Sequence, residues 1–590
     1  MSEGREFDVV VVGSGAGGMS AAIVAANEGL SVLLVEKSSR IGGCTAISGG
    51  AMWIPLNTLS AAAGHADTFE DAWAYLRNTS GKAGSAAQQR ALLDKGPRAL
   101  EYLSRHSELK VSSRTYSPDY YPDVEGAALG GRTVDPLEFD GRQLGASFAQ
   151  LRDPLREFLV LGGMMVNLVD VRHLLAVTRS FASWKHGMRL VLRYAADRLR
   201  GYHRGTRLLL GNALAARLFK SLLDRGVEYW LDAPALALAH ESSAAGTLVT
   251  GVRILRNGQE QTVRARHGVI IATGGFAHDP VLRSRVFPHP DDKLSMSPAA
   301  NTGDGIRMAT QASAAMGDTP ETPSYWAPVS VLQRADGSRQ VYPHLIWDRA
   351  KPGLMAVNAA GQRFVNESSS YQDFVLGMYE AHRRSPSIPA FLVCDSAFVK
   401  RWGLGLALPG GRPHEHFVTA GYLHRADTLR ALADKLGIDA PALEESARRF
   451  NEAAKNGNDP EFHKGGTAYN RNLGDPDHKP NPCLGPIATA PFYAVRVYPA
   501  DIGTAWGIRT DEDARALDAG GRPVQGLYVV GADMHTLTGG AYPAAGVSLG
   551  PAITFGWAAA MHIAHRSKEY RSRASNDSPS LTSTKGPSSP

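Results

Sequence analysis

The feature that most constrains the fold is a glycine-rich turn near the start of the chain. Residues 9–12 are four consecutive valines, which predict a central parallel strand, and they lead directly into Gly13-Ser-Gly-Ala-Gly-Gly18, a match to G-x-G-x-x-G. An alanine-rich helix is predicted over 19–28, and a second strand, 31–35, ends at Glu36. In this order the glycines let the backbone approach a pyrophosphate, and the acid accepts a hydrogen bond from a ribose hydroxyl. The stretch therefore predicts a dinucleotide-binding site.

A second glycine-rich loop, residues 41–50 (IGGCTAISGG), follows the predicted ribose-binding acid. An acid at position 36, rather than an arginine, disfavours the 2′-phosphate of NADP. The two stretches together resemble the flavoprotein family that contains fumarate reductases, succinate dehydrogenase flavoprotein subunits and 3-ketosteroid dehydrogenases. In that family the second loop runs along the flavin of FAD, and some members attach FAD covalently through a histidine there. Because residues 7–50 contain no histidine, we predict noncovalent FAD.

Three later segments carry the same resemblance. Residues 268–276 predict a buried strand that runs into glycines, residues 526–533 predict a short buried strand that ends on glycine and acid, and residues 539–551 form a glycine-rich loop before a predicted helix. The free N–H groups of such a loop and the helix dipole favour negative charge. The cofactor-binding residues that the resemblance implies are Gly13, Ser14, Gly15, Ala16, Gly17, Gly18, Glu36, Lys37, Gly42, Gly43, Thr45, Ala46, Ser48, Gly49, Gly50, Ala272, Thr273, Gly274, Asp304, Gly531, Asp533, Gly546, Ser548 and Leu549.

Length and composition set the expected domain organisation. A chain of 590 residues is too long for a single core, and 43% hydrophobic residues are typical of a globular protein. We predict an α/β fold in which a Rossmann-type FAD-binding domain carries an inserted α+β catalytic, or capping, domain. The predicted divisions are 1–325 for the first part of the FAD-binding domain with a helical insertion at about 151–226, 326–498 for the catalytic domain, 499–566 for the second part, and 567–590 for a disordered tail. Within the catalytic domain, the polar run 459–482 predicts a surface loop.

Charge and cysteine content narrow the function classes. The net charge of +6 is small for this length, so no nucleic-acid partner is predicted. Cys44, Cys394 and Cys483 are odd in number and far apart, which indicates a reducing compartment without disulfides or a zinc site. No signal-peptide pattern precedes the first strand, and no stretch reaches about 18 uninterrupted apolar residues. We therefore predict a cytoplasmic protein without a bound metal.

The strongest charge run lies in the helical insertion. Lysines and arginines recur between Arg179 and Arg225, and only Asp197 and Asp224 oppose them. Apolar residues at helical spacing, from Met188 to Leu199, predict an amphipathic helix within this run. A basic amphipathic helix fits either a solvated face packed over the core or a peripheral contact with an anionic membrane. The packed face is the favoured interpretation, and membrane contact through 179–225 at the inner face of the membrane is the alternative.

The reaction is indicated by three motifs in which the chain resembles 3-ketosteroid Δ1-dehydrogenases. The motif Tyr542-Pro-Ala-Ala-Gly546 implies that the Tyr542 hydroxyl and the Gly546 N–H bind the 3-keto oxygen of a steroid. Tyr371 follows the Asn-Glu pair of the second motif, which implies that it removes the C2 proton while the C1 hydride passes to flavin N5. The third motif is an Asp-Tyr-x-Pro loop, which implies that Tyr120 supports this base. Tyr121 is the alternative.

The implied chemistry is physically consistent. A C–H bond beside a ketone becomes acidic only when the developing enolate oxygen is stabilised, and two preorganised donors provide that stabilisation. A tyrosine with a pKa near ~10 is a weak base at neutral pH. Tyr371 therefore needs help from a neighbouring hydroxyl, which Tyr120 can supply.

Three alternatives stay open. One is a dehydrogenase of the same fold acting on the 4,5-bond of 3-keto-5α-steroids, and another is a fumarate-reductase-like enoate reductase. The reductase would need arginines to grip two carboxylates, and the sequence does not show whether Arg132, Arg363 or Arg509 lies in the cleft. His535, which matches a substrate histidine of some fumarate reductases, is interpreted as a turn or capping residue. The third is a non-catalytic FAD-binding, membrane-associated protein.

No second nucleotide-binding fingerprint is present, so the predicted electron acceptor is quinone-like rather than NAD(P).

Overall fold

The computed structural model describes residues 5–243, 246–289 and 294–576. Most strands belong to two large sheets, and the short ones form small ribbons beside them. The strands are β1 (Glu6–Val12), β2 (Val32–Val35), β3 (Met52–Trp53), β4 (Val111–Ser113), β5 (Thr133–Pro136), β6 (Phe139–Asp140), β7 (Leu159–Val160), β8 (Met164–Met165), β9 (Arg207–Leu208), β10 (Glu228–Trp230), β11 (Ala235–Ser243), β12 (Gly246–Arg256), β13 (Gln259–Ile271), β14 (Ser324–Gln333), β15 (Arg339–Pro343), β16 (Leu354–Val357), β17 (Ala390–Asp395), β18 (Leu423–Ala426), β19 (Phe492–Thr504), β20 (Arg515–Leu517) and β21 (Pro523–Val529).

The helices cover both sheets and form the insertion between β8 and β10. They are α1 (Ala16–Asn27), α2 (Leu59–Ala62), α3 (Phe69–Thr79), α4 (Ala86–His106), α5 (Leu168–Leu175), α6 (Phe181–Leu199), α7 (Leu210–Asp224), α8 (Pro280–Val286), α9 (Asp304–Gln311), α10 (Tyr371–His382), α11 (Ser396–Trp402), α12 (Glu415–Thr419), α13 (Leu429–Leu436), α14 (Ala440–Asn456), α15 (Ala468–Leu473) and α16 (Leu549–Asn576). Short 3₁₀ turns occur at Thr45–Ile47, Gly141–Gln150, Arg156–Phe158 and Gly531–Asp533.

The first sheet has the parallel core that the opening motif predicts. β1 lies between β2 and β13 and runs parallel to both, and β10 and β21 extend this parallel arrangement on either side. α1 packs on β1, and α7 and α16 pack on α1 in turn, so β1 lies in the main apolar core. The helix after β1 begins at Ala16, earlier than predicted, because the last two glycines of the turn form its first residues. The Rossmann-type part of the prediction is confirmed.

The second sheet is antiparallel and is built mostly from the middle of the chain. Its order is β15-β14-β19-β17-β16, with β18 paired to β19. β14 and β19 are the long strands that connect this sheet to the first part of the fold, and α13 and α14 pack against it in a separate apolar cluster. The predicted catalytic domain, 326–498, begins within β14 and ends within β19. The division of the chain into domains stays a prediction.

The helices of the insertion differ in how much they pack on the rest of the protein. α7 is buried along most of its length and packs on α1 and on the 3₁₀ turn Thr45–Ile47. α5 and α6 pack on one another, and α6 buries only a narrow face. Within the described ranges, no helix combines the length and the apolar character that crossing a bilayer requires.

The last helix is longer than the sequence predicts. α16 continues past Ser567 to Asn576, and the predicted tail boundary at 567 is therefore wrong. The polar segment stays helical because Ser567 is buried and hydrogen-bonded to His267 at 3.1 Å, and Lys568 forms a 2.8 Å ion pair with Glu28. The rest of the predicted tail, 577–590, lies outside the described residues.

Candidate active site

A cleft that is partly open to solvent begins where β1 ends and α1 starts. This is the carboxyl edge of a parallel sheet, where open α/β folds bind their ligands. Its walls are residues 12–17, 35–37, 43–45, 272–274, 300–301, 502–505, 531–532, 534–537, 547–549 and 551–552, together with Arg152, Ala233, Ala235, Asp304, Met308 and Tyr325.

The turn before α1 has the features of a phosphate site. The N–H groups of Gly15 and Gly17 donate to no described residue, so they lie free at the positive end of the helix. Gly15 has a φ of −71°, which any residue adopts. Among the described residues, the only atom within 4 Å of a Cβ built there is Thr45 Oγ1, at 3.9 Å. Neither backbone strain nor protein crowding requires glycine at position 15, and the open space there fits a bound pyrophosphate.

Glu36 fits the ribose-binding role in its position at the end of β2. It is buried and accepts hydrogen bonds from Ser14 N at 3.0 Å, Ser14 Oγ at 2.6 Å and Ser38 N at 2.9 Å. A carboxylate offers about four lone-pair positions, so these three donors leave room for a ribose hydroxyl. The neighbouring Lys37 forms a 2.8 Å ion pair with Asp304, which holds both side chains at the cleft wall.

The structure brings most of the predicted cofactor-binding residues to the cleft and leaves others outside its lining. Those that line it are Gly13, Ser14, Gly15, Ala16, Gly17, Glu36, Lys37, Gly43, Thr45, Ala272, Thr273, Gly274, Asp304, Gly531, Ser548 and Leu549. Those outside the lining are Gly18, Gly42, Ala46, Ser48, Gly49, Gly50, Asp533 and Gly546. Lining residues that sequence reasoning missed include Cys44, Arg152, Asn301, Tyr325 and Thr536. Cys44 lies inside the second glycine-rich loop, 41–50, and the other four come from separate segments without a shared motif.

Some of the residues outside the lining have an evident packing role instead. Asp533 is buried and accepts hydrogen bonds from Thr273 Oγ1 and from the N–H groups of Gly274 and Gly275, so it fixes the turn after β13. Burial raises the pKa of Asp533 to about 6. Gly50 has a φ of +77°, and a Cβ there would lie 2.6 Å from the N atom of Gly211, so glycine permits the close approach of α7.

The three predicted catalytic tyrosines meet in one buried cluster, although they come from three distant segments. The Tyr120 hydroxyl donates to the Tyr371 hydroxyl at 3.0 Å. The Tyr542 ring lies 5.3 Å from the Tyr371 ring and 5.6 Å from the Tyr120 ring, centre to centre. Each of the three is less than 9% exposed. The Tyr120 backbone N–H donates to Pro543 O at 2.8 Å, which ties the first tyrosine loop to the last one.

Gly546 adds a backbone donor beside this cluster. Its φ is +96°, and a Cβ there would lie 2.6 Å from Ala51 O and from Trp53 N, so only glycine fits. Its carbonyl accepts from the N–H groups of Trp53 and Gly550, whereas its own N–H donates to no described residue. α16 begins at Leu549, so the free N–H lies close to a positive helix end. The arrangement can stabilise a developing oxyanion.

Burial sets the protonation of the cluster. Desolvation raises the pKa of Tyr542 to about 12, and it raises the pKa values of Tyr120 and Tyr371 well above 10, with further upward contributions from the neighbouring tyrosines. At neutral pH the phenols are therefore protonated and can donate. This state suits Tyr542 as a donor to an oxyanion. Tyr371 can act as a base only in its deprotonated form, which a hydrogen bond donated by Tyr120 stabilises.

Two further tyrosines border the cluster. The Tyr121 hydroxyl donates to Asp373 Oδ1 at 2.9 Å and makes no hydrogen bond to Tyr371 among the described residues, so the geometry favours Tyr120 over Tyr121. Tyr469 was missed by sequence reasoning, and its ring lies 4.6 Å from that of Tyr120. It belongs to α15, within the run 459–482. The prediction of a surface loop there is wrong, because the run also buries Lys464 beneath the strand β16.

The residues that a fumarate-reductase-like reaction would need are engaged elsewhere. Arg132 forms ion pairs with Asp67 and Asp119, and Arg363 pairs with Glu367 and Asp459; each of these side chains is at most 6% exposed. Arg509 does not line the cleft. His535 does line it, but its Nε2 bonds to Ala83 O at 3.1 Å, away from the tyrosines.

Comparison with known proteins agrees with this geometry. The chain matches the protein family described as "FAD binding domain" over residues 8–549. It is 37% identical to the 4-oxocyclohex-2-ene-1-carboxylate 5-dehydrogenase of Sinomonas cyclohexanicum, over 94% of this chain and 93% of that protein. It is 36% identical to the 3-oxosteroid 1-dehydrogenase of Mycobacterium tuberculosis, over 95% and 98%. The crystal structure of the 3-ketosteroid Δ1-dehydrogenase from Sterolibacterium denitrificans with 1,4-androstadiene-3,17-dione matches with a TM-score of 0.87 and 38% identity, over 95% and 100%.

Proposed function

The chain belongs to the family of flavoproteins that share this FAD binding domain, and we propose that it introduces a 1,2-double bond into a 3-ketosteroid. It is an FAD-dependent oxidoreductase, like the relatives that match it over nearly their full length. The observation that carries the proposal is the meeting of Tyr120, Tyr371 and Tyr542 beside the free N–H of Gly546.

The residues act in a fixed order in the proposed reaction. The Tyr542 hydroxyl and the Gly546 N–H donate to the 3-keto oxygen, which makes the neighbouring C2–H acidic. Tyr371 takes the C2 proton in its phenolate form and becomes a neutral phenol, and the hydrogen bond that Tyr120 donates to it stabilises the phenolate before the transfer. Burial of the cluster keeps water away from the enolate oxygen.

Bound FAD supplies the acceptor for the C1 hydride. The residues proposed to hold it are the turn 13–17, with free N–H groups for the pyrophosphate, and Glu36 for the adenosine ribose. The N-terminus of α16 is proposed to face the flavin ring. Because residues 7–50 contain no histidine, the FAD is proposed to be noncovalent.

The walls near the tyrosines favour a steroid over a small keto acid. Apolar side chains pack on the cluster, among them Leu345, Leu473 and Ile502. A carboxylate substrate would need a free cation there, and the nearby Arg349 donates to four backbone carbonyls instead. The second candidate is therefore a 4-oxocyclohexanecarboxylate-type ketone, which is favoured only by the similarity to the Sinomonas enzyme. Both substrates would use the same ketone chemistry.

Three further parts of the function are also proposals. The electron acceptor is proposed to be quinone-like, because only one nucleotide-binding fingerprint occurs in the sequence. The protein is proposed to work in the cytoplasm. The third is peripheral membrane contact through the basic stretch 179–225.

Anaerobic mixing with a 3-keto-4-ene steroid tests the proposed reaction. Such a steroid already contains the 4,5-double bond, so only 1,2-desaturation can reduce the flavin. We expect loss of the oxidised flavin absorbance and a product two hydrogens lighter by mass spectrometry. Parallel reactions contain a 5α-reduced 3-ketosteroid, 4-oxocyclohexanecarboxylate or, with dye-reduced enzyme, fumarate.

The outcomes separate the candidates. Reduction only by the 5α-reduced steroid, with a 4-ene product, would assign the 4,5-activity. Faster reduction by the cyclic keto acid would assign the second candidate. Retained absorbance with every ketone, together with turnover of fumarate, would overturn the proposal in favour of an enoate reductase.

A further inference from the structure

We propose that a groove beside the FAD cleft binds an anionic group at the end of the substrate that lies away from its ketone. The proposal rests on the steroid reaction above, and it names the preferred substrate as a 3-ketosteroid whose side chain ends in a carboxylate. We call this surface the arginine groove, after the five arginines in its lining: Arg40, Arg152, Arg156, Arg334 and Arg339.

The arginine groove carries an excess of positive charge. Among the described residues, two acids, Asp153 and Glu157, line it beside the five arginines. Asp153 is engaged by groups outside the lining, since Arg204 Nε donates to its Oδ1 at 2.7 Å and His203 Nε2 lies 2.9 Å from the same oxygen. Glu157 accepts from Gln340 Nε2 at 3.1 Å. A concave surface lined mainly by one sign of charge concentrates ligands of the opposite sign.

Three of these arginines have guanidinium groups without a partner. Within the described ranges, those of Arg40, Arg156 and Arg339 make no hydrogen bond or ion pair. A fourth, Arg152, donates from Nη2 to Ser38 Oγ at 3.0 Å, and its buried Nε has no partner among the described residues. The planar fork of guanidinium donors matches the two oxygens of a carboxylate. The groove therefore offers unpaired donors of the kind that bind carboxylates.

One face of the second sheet runs from the tyrosine cluster to the groove. Tyr325 and Ala327 on β14 pack in that cluster. Side chains two residues apart on a strand share a face, and so do directly opposed residues of antiparallel strands. Val331 therefore lies on the face of Ala327, and it opposes Val341 of β15, which lines the groove with Arg339. The four residues from Ala327 to Val331 span about 13 Å.

A second wall joins the groove to the same cluster. Ser295 and Met296 line the groove. Met296 N donates to Asp501 O at 2.8 Å, and Ser295 Oγ donates to Asp501 Oδ2 at 2.6 Å. The next residue, Ile502, packs on the tyrosine cluster and lines the FAD cleft. A ligand whose ketone meets the tyrosines can extend along these two walls toward the arginines.

The separation of the two sites selects the kind of substrate that can use both. A 3-ketosteroid carries its side chain at the end of a rigid four-ring skeleton opposite the ketone, so a carboxylate on that chain projects away from the tyrosines. In 4-oxocyclohexanecarboxylate the carboxylate lies on the ring of the ketone and cannot span the length of β14 between cluster and groove. The pyrophosphate of FAD is a poorer occupant, because Arg156 and Arg339 do not line the FAD cleft.

Calorimetric titration of the holoenzyme tests the groove without turnover. The ligands are a steroid 1,4-dien-3-one whose side chain ends in a carboxylate, and the primary amide of the same acid, which has nearly the same shape without the charge. Neither can be desaturated again at the 1,2-bond. We expect the acid to bind about tenfold more tightly at low ionic strength, and the difference to shrink with added salt. Equal Kd values for acid and amide overturn the proposal.

Substitutions in the groove separate recognition of the charge from the rest of binding. Arg156→Gln/Arg339→Gln should raise the Kd of the acid by about tenfold more than that of the amide, and Arg156→Glu/Arg339→Glu should reverse the preference. The matched control Arg412→Gln/Lys455→Gln removes two exposed positive charges outside the groove and should keep the wild-type preference. An equal shift in the control overturns the proposal, and loss of FAD from the groove variants would assign the arginines to the cofactor instead.

Anaerobic flavin reduction by the corresponding 3-keto-4-ene acid and amide tests the reaction separately. No electron acceptor is present, so a difference between the two steroids comes from the steroid site. We expect a half-saturating concentration about tenfold lower for the acid and a limiting rate within about twofold of that for the amide, because the ketone ends are identical. Absence of reduction by either steroid, together with a preference for the acid in the titration, overturns the steroid reaction and keeps the anion site.

Discussion

The FAD cleft and the tyrosine cluster are built in opposite ways. The end of the cleft that is proposed to hold the adenosine comes from one local stretch, in which Ser14 N donates a hydrogen bond to Glu36, and its free groups are backbone N–H donors at a helix end. The cluster takes Tyr120, Tyr371 and Tyr542 from segments hundreds of residues apart, and its groups are buried side chains. The geometry of the turn therefore depends mainly on residues close together in the chain, whereas that of the cluster depends on the packing of distant segments.

This difference predicts separable defects. Changes in the cluster should lower turnover while FAD stays bound, and changes in the cleft should weaken FAD binding while the bound enzyme still turns over.

The largest expected effect is that of Tyr371→Phe. Removing the proposed base should lower kcat by about 10²–10⁴-fold, with the flavin content unchanged because the tyrosine does not line the cleft. Steady-state kinetics with a 3-keto-4-ene steroid, and the flavin-to-protein absorbance ratio, measure the two effects. Tyr342→Phe, a change on β15 outside the cluster, is the control. Full activity of Tyr371→Phe would refute the assignment of the base.

The pH profile tests the same assignment independently. Burial raises the pKa of Tyr371 well above 10, so its deprotonated fraction increases with pH, by about tenfold per unit while the pH stays below that pKa. We expect kcat/KM for the steroid to rise between about pH 6 and pH 9, and to lose this dependence in Tyr371→Phe. A wild-type profile that falls over this range contradicts a tyrosine base.

The next largest effect is expected for Tyr542→Phe. This change removes one of the two donors to the developing oxyanion, so kcat should fall by about 10²–10³-fold. The Gly546 N–H remains, and FAD should stay bound. Rapid-reaction measurement of flavin reduction separates this chemical step from product release. An effect confined to KM would show that Tyr542 binds the ketone equally in the ground and transition states.

A change in the cleft should produce the opposite pattern. Glu36→Gln removes a charged acceptor of the Ser14 and Ser38 donors and of the proposed ribose hydroxyl. We expect the Kd of FAD to rise by about 10–100-fold, with kcat retained at saturating FAD. Titration of the apoprotein with FAD measures the affinity, and the exposed Glu452→Gln is the control. Normal affinity with a reduced kcat would contradict the separation of the two regions.

The smallest difference is expected between the two adjacent tyrosines. Tyr120→Phe breaks the 3.0 Å hydrogen bond to Tyr371 and should lower kcat by about tenfold. Tyr121→Phe breaks only the bond to Asp373, so kcat should stay within roughly twofold. The two variants are compared at one pH with the same steroid. Reversed effects would transfer the supporting role to Tyr121.

Local motifs were predictable because their spacing is set by the backbone. The strand before Gly13, the turn and the acid at the end of β2 all occur as expected, and the comparisons confirm FAD. The catalytic tyrosines were found by resemblance, and their roles stay predictions. Tyr469 was not found, because a polar run suggests exposure and only the packing of α15 against the cluster shows that this residue is buried.

In the helical insertion, the spacing of apolar residues predicts a helix but not which side of that helix faces the protein. The spacing in residues 188–199 predicts an amphipathic helix, and α6 confirms it. Such a pattern cannot reveal which side meets the protein when both sides carry apolar residues. The favoured interpretation, a solvated charged face packed over the core, stays a prediction. Leu190 faces the protein, and the row with Leu192 and Leu199 faces solvent.

By itself, the sequence determined the parallel sheet, the dinucleotide turn and the acid that follows it, because these features depend on residues close together in the chain. It also supplied the chemical groups of the proposed reaction. Only the tertiary structure decided that Tyr120 donates to Tyr371, that Asp533 accepts hydrogen bonds from the turn after β13, and that α6 turns an apolar row outward. These outcomes depend on contacts between segments far apart in the chain, whose distances and burial no local pattern encodes.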